Sequence, residues 1–117
     1  MDCMAATAES PTAPLTSERV IDGLAALAHE TRLAIFRRLV RRGLEGESAG
    51  ELARWLEVRP QTMSFHVKEM SRAGLLRSRR EGRNVFYSVD FDHARGLIAY
   101  LVDSCCADVP AERKARR

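Results

Sequence analysis

Residues 105 and 106 of this 117-residue chain are both cysteine, in the stretch YLVDSCCADVP, and a third cysteine stands at position 3. Thiols are soft ligands and oxidisable groups, so their placement is the first chemical question the sequence poses. A disulfide scaffold does not answer it. The count is odd and small, and two adjacent cysteines would close a strained ring. In a reducing cytosol they rest as thiols. Lone cysteines are usually small buried hydrophobes, but that reading suits a pair at a polar helix end, DSCCAD, less well.

The second group able to do chemistry is cationic. Between Arg59 and Arg83 stand seven basic residues (Arg59, Lys68, Arg72, Arg77, Arg79, Arg80 and Arg83) against two acids, Glu69 and Glu81. That segment carries a net +5 and leaves −2 for the rest of a chain whose total is +3. Positive charge confined to one segment is the footprint of a polyanion-binding surface. A charge run in isolation is more often a solvated face, so the elements that carry it decide.

The chain has room for one domain with a small core. Hydrophobic residues at 45% and charged residues at 30% describe a soluble globular protein. No apolar run is long enough to cross a bilayer. The start, MDCMAATAESPTAP, lacks the basic and apolar regions of a secretion signal, and a cytoplasmic address is expected. The expected organisation is a disordered segment over 1–16, a folded domain over 17–106 and a flexible basic tail over 107–117.

A first helix is expected over 17–28, with Ser17 as N-cap. Val20, Leu24 and Leu27 recur at helical spacing, with Ile21, Ala25 and Ala28 beside them. This apolar arc is too wide for one partner surface and hints at a second contact, such as another subunit. A second helix is expected over 30–42, where Leu33, Phe36 and Val40 share a face near Ile35 and Leu39, and the arginines lie around the other side. Ser48 and Glu51 have the spacing of a capping box for a short third helix, with Leu52, Trp55 and Leu56 apolar. Pro60 suits the first position of a fourth helix that ends at Gly74. In it Met63, Val67 and Met70 point inward, and Gln61, Phe65, Lys68 and Arg72 recur on the opposite face. His66 falls at the edge of the inward face, to pack or to touch a partner. The pattern then turns extended, and LLRSRREGRNVFYSVD reads as a β-hairpin with its tip near Gly82. Asp90 caps a last helix, in which Leu97, Ile98, Leu101 and Val102 are apolar. His29 and His93 are expected to cap helices or lie on the surface.

A short helix, a tight turn, a helix with a polar outer face and then a basic hairpin make a winged helix-turn-helix, mainly α with a small β-hairpin wing. Such a module sets its second helix in the DNA major groove and its hairpin on flanking phosphates. An exposed phenylalanine among polar and cationic groups suits a partner offering both phosphates and thymine methyls. Gln61, Thr62, Ser64, Phe65 and His66 are the candidate base-facing residues, and Lys68, Arg72, Arg79, Arg80 and Arg83 the candidate phosphate anchors.

The stretches LAHETRLAIFRRLV and GELARWLEVRPQTMSFHVKEMSRAGLLRSRREGRNVFYSVD, with the spacing between them, resemble the ArsR/SmtB family of bacterial metalloregulatory repressors over roughly residues 20 to 105. The resemblance implies a homodimer through the first and last helices, operator DNA bound in the apo state, and release when a metal or metalloid binds. The family's C-x-C arsenic site before a GELA-like segment is absent, since those positions are Ser48 and Gly50. Its zinc site on the last helix is incomplete as well: Asp90, Asp92 and His93 stand near the start, but Asp103, Ser104 and Ala107 occupy the later positions. Some members carry their arsenic-binding cysteines as a vicinal pair ending the last helix, which YLVDSCC resembles. Cys105 and Cys106 are therefore the candidate ligands of trivalent arsenic, with Cys3, in cis or from the other subunit, as candidate third ligand. Without Cys3 the pair suits methylarsenite. A thiol redox sensor or a cadmium or antimonite sensor on the same fold is the alternative. Arsenate reductase chemistry is set aside, because a C-x5-R anion cradle would need arginine where Ala111 and Glu112 stand.

Overall fold

Thr16 starts the fold. Its hydroxyl accepts from the Arg19 amide at 3.2 Å and caps α1, Ser17–Leu27. The cap therefore lies one residue before Ser17, which is already helical. The computed structural model describes residues 14–108, with side chains over 14–103. The expectations for 1–13 and 109–117, and for the thiols of Cys3, Cys105 and Cys106, lie outside the described residues.

His29 caps the next helix, α2, Glu30–Arg42, its ring Nδ1 accepting from the Thr31 amide at 3.1 Å. Glu30 in the first turn and Arg41 and Arg42 in the last complement the helix dipole. A two-residue strand follows, β1, Glu47–Ser48. Ser48 Oγ then accepts from the Glu51 amide and caps α3, Ala49–Leu56, the Ser48 half of the expected capping box. Pro60 opens α4, Pro60–Arg72, where its missing N–H costs nothing. That helix closes on Ala73, with Gly74 the residue after the cap. The hairpin is β2, Leu76–Glu81, and β3, Asn84–Val89, with Gly82 at the tip. Asp90 Oδ1 accepts from the His93 amide at 3.0 Å and starts α5, Phe91–Asp108. The α5 backbone runs through positions 105 and 106. Among the described residues no helix is long and apolar enough to cross a membrane.

The core forms between the helices and the hairpin, with Val20 and Ala26 of α1 and Leu97 of α5 at its edge. Ile35 and Leu39 from α2, Leu52 from α3 and Met63, Val67 and Met70 from α4 are buried, with Leu75 and Val89 closing the hairpin side. Burial of each such side chain stabilises by roughly 1.5–3 kcal/mol. Two expectations turn over here. The inward stripe of α2 is Ile35 and Leu39, while Leu33 and Val40 face outward. On α3, Trp55 is half exposed and Ala53 is buried in its place. The Arg38 guanidinium lies over the Trp55 ring at 4.3 Å, so the indole works as a platform rather than as core.

The sheet has three strands in the order β1-β3-β2, all antiparallel. β1 pairs Glu47 with Tyr87 and Ser48 with Phe86, which joins the wing to the body of the domain. Gly46 makes the approach possible. Its φ is 69°, and a Cβ there would lie 2.0 Å from the Tyr87 carbonyl oxygen. Glu47 is buried and accepts two hydrogen bonds from Arg38, 2.9 Å from Nε and 2.8 Å from Nη2. These bonds hold the Glu47 carboxyl below the usual range against the opposing effect of burial. The Arg38 guanidinium is raised by the same contact.

α1 and α5 meet at Gly23, where an added Cβ would come within 2.7 Å of Leu97 Cδ1. Ile21 and Leu24 of α1 and Ile98, Tyr100 and Leu101 of α5 are exposed. The wide apolar arc expected for the first helix is divided between a buried side, Val20 and Ala26, and an exposed side, Ile21 and Leu24, and the last helix also leaves apolar side chains exposed.

Candidate nucleic-acid interface

The turn between α3 and α4 is tight because Glu57 takes a left-handed conformation, φ 58°, and its amide bonds back to the Arg54 carbonyl. Arg59 is extended, as a residue before proline must be. α4 then sends Met63, Val67 and Met70 into the core and leaves Gln61, Thr62, Ser64, Phe65, Lys68 and Arg72 on its outer face. Phe65 is 55% exposed, an apolar ring displayed among polar neighbours.

His66 does not join that face. It is 6% exposed, with Nδ1 accepting from Arg32 Nε at 3.1 Å and its ring 4.8 Å from the His29 ring. Burial, with the Arg32 guanidinium and the His29 ring beside it, holds its pKa below the ordinary histidine value. Of the two readings open for His66, packing or touching a partner, the structure shows the packing: the ring lies behind the outer face of α4, on Arg32 and His29.

Beside α4 stands the wing. Arg77, Arg79, Arg80 and Arg83 are all exposed. Among the described residues Lys68, Arg80 and Arg83 take part in no ion pair, whereas three other arginines are engaged. Arg72 pairs with Glu69 one turn back. Arg77 lies 3.6 Å from Asp90. Arg79 bonds Glu81, reaches the Leu44 and Glu45 carbonyls at 3.4 and 3.3 Å, and covers the Phe86 ring at 5.1 Å. It ties the wing to the loop after α2, so of the five expected anchors it is the most committed inside the protein. No sequence signal pointed to that loop or to Arg32, because both contacts join residues more than thirty positions apart.

At the start of α5, Asp90 caps the helix and pairs with Arg77, and Asp92 pairs with Arg95. His93 is neither a cap nor a surface residue. Its Nε2 is buried and has no hydrogen-bond partner among the described residues, packed against Gly74 and Arg19. Burial and then Arg19 lower its pKa, against the pull of Asp90. Among the described residues no group of three or more His, Cys, Asp or Glu side chains could hold a metal ion.

A helix-turn-helix domain model matches residues 27–79, the segment from the end of α1 into the wing. The biofilm growth-associated repressor of Agrobacterium fabrum is 36% identical over 85 residues, covering 72% of this chain and 69% of that protein. The solved structure of HlyU from Vibrio cholerae superposes with a TM-score of 0.61 at 31% identity, over 77% of this chain and 95% of that one. An ArsR-like transcriptional regulator from a Rhodococcus species does so with a TM-score of 0.67 at 27% identity, over 79% and 83% of the two chains. With a polar reading helix, a basic wing and regulators of this kind as relatives, the chain belongs to the ArsR/SmtB family of winged helix-turn-helix transcriptional regulators.

Proposed function

We propose that the protein is a homodimeric repressor that holds operator DNA in its ligand-free state and leaves it when trivalent arsenic binds to cysteine thiolates. The observation that carries the DNA reading is the outer face of α4, where Gln61, Thr62, Ser64, Phe65 and Lys68 stand exposed, with the exposed Arg80 and Arg83 of the wing, which pair with no acid among the described residues. Polar side chains at the N-terminal half of such a helix read base edges, and the cations ground it on phosphates. Two copies, one per protomer, would reach successive major grooves about 34 Å apart. The exposed apolar strip of Ile21, Leu24, Ile98 and Leu101 supports α1 and α5 as the contact between protomers.

For the signal, Cys105 and Cys106 end the same helix that would form this contact, and Cys3 is the candidate third ligand. Trivalent arsenic makes three bonds to soft donors. The carboxylates at the other end of α5 are already committed to Arg77 and Arg95, which leaves thiolates as the chemically suited set. Bound arsenic would change how α5 packs in the dimer and so the separation of the two α4 helices. By linkage, DNA weakens arsenic binding by the same factor, of about 1–3 kcal/mol.

The deciding experiment is a gel-shift titration of full-length protein with arsenite and methylarsenite, on wild type, Cys105→Ser/Cys106→Ser and Cys3→Ser. Release that fails in the double variant supports the thiol pair, and failure in Cys3→Ser assigns the third ligand. Unchanged DNA affinity at saturating arsenical ends the arsenic reading. Parallel arms with cadmium, antimonite and peroxide test the other soft-metal and redox signals that an adjacent thiol pair could serve.

A further inference from the structure

Beneath the outer face of α4 lies a four-residue stack that the reading of DNA does not by itself explain. His29 caps α2 with Nδ1 and faces the His66 ring at 4.8 Å. His66 Nδ1 accepts from Arg32 Nε. The same guanidinium lies over the exposed Phe65 ring at 5.6 Å, and Phe65 and His66 are 6.0 Å apart. Arg32 thus touches both the buried and the displayed side of the reading helix from a different helix.

We propose that Arg32 is a positioning residue for DNA reading: it holds the Phe65 ring in its reading orientation by bridging to His66, and the bridge lasts only while His66 Nδ1 carries no proton. This rests on the proposed DNA-binding function. The chemistry follows from donor counting. Arg32 Nε–H can donate only to a bare imidazole nitrogen, so the His66 proton sits on Nε2. A second proton at Nδ1 would set two donors and two positive charges against each other and drive the guanidinium off the ring. The charged and titratable groups that face His66 are Arg32 from α2 and His29 from its N-cap, and neither favours that proton. Phe65 is exposed and has no core of its own to hold it, so its direction depends on what lies behind it.

The test measures affinity for a duplex selected from a random pool by the wild-type full chain, against a scrambled duplex of equal length, from about pH 8 downward until NMR shows the His66 ring taking up its second proton. Wild type should lose about tenfold in the selected-to-scrambled ratio on acidification, the size of one hydrogen bond to a charged group. Arg32→Lys keeps the charge but lacks both the Nε–H and the planar group, and should show that loss already at pH 8, with unchanged scrambled-duplex affinity and salt slope. His66→Asn keeps an acceptor near the Nδ1 position without a titrating proton, and should hold the ratio across that range. An Arg32→Lys protein that retains the full ratio overturns the proposal. So does equal loss on both duplexes with a shallower salt slope, which would make Arg32 a phosphate contact. A pH-independent wild-type ratio overturns it even if Arg32→Lys proves unstable on melting. Wild type that binds neither duplex removes the DNA reading first, and this inference with it.

Discussion

Glu47 carries more of the architecture than its position in a two-residue strand suggests. Its carboxylate is buried, and both of its oxygens are bonded by Arg38. Removing one partner of such a pair strands the other. Glu47→Gln is therefore expected to lower the melting temperature by roughly 5–10 °C in a domain of this size, measured by circular dichroism. Because its folded pKa is depressed, the stability Glu47 contributes is present above its unfolded value near 4.5 and is lost as pH falls through the folded one. The histidines work in the same direction at higher pH. His66 and His93 both sit below the ordinary value of 6.5 in the fold, so the unfolded chain takes up protons first. Stability should be level above about pH 7 and fall as the pH drops through 6.5. His93→Gln should flatten part of that slope in melting curves taken across the range.

At the scale of elements, the wing divides its arginines between two jobs. Arg83→Ala should weaken binding to all duplexes alike and reduce the salt slope by about one. Arg79 holds the wing to the Leu44 and Glu45 carbonyls, so Arg79→Ala should leave the tip mobile and add proteolytic cleavage near Gly82, which Arg83→Ala should not. Gly46→Ala tests the same joint from the other side. Strained backbone and a clash with the Tyr87 carbonyl are expected to cost about 3 kcal/mol in denaturant melts. These joints also mark where sequence reading stopped. α2, α4 and the hairpin were legible, because thirteen-residue helices and paired six-residue strands show their period. β1 has two residues and no period, and its partner lies about forty positions away. A wheel groups Leu33 and Val40 with Phe36 on one apolar face near Ile35 and Leu39 without knowing where the neighbouring helix stands, and the structure buries only Ile35 and Leu39 of these fully. For the same reason the wheel puts His66 only at the edge of the inward face, and the structure shows it buried. Composition groups Trp55 with Leu52 and Leu56 on one apolar face, whereas in the structure the indole stays half exposed under the Arg38 guanidinium.

For the whole molecule, the apolar strip over α1 and α5 predicts that the active species has two protomers. Ile98→Glu puts a charge into that strip at a position 59% exposed in the single chain, so the protomer should still fold. Sedimentation should show a monomer, and affinity for a two-site duplex should drop by about 10² or more as the second binding event ceases to be intramolecular. A protein that stays dimeric would place the contact elsewhere. The reading helix and the wing were legible as one module because charge, turn and period agreed across fifty residues of sequence. How they are joined was not.

That join has a mechanical result. β1 laces β3 to the segment leading into α3, and Arg79 and Arg38 rivet the same corner from two directions. The hairpin is thus no free arm groping for the duplex but the second jaw of a stiff caliper whose first jaw is α4. In the proposed dimer, a tilt imposed on the body would swing both jaws together, so grip and readout should be surrendered in one step rather than in turn.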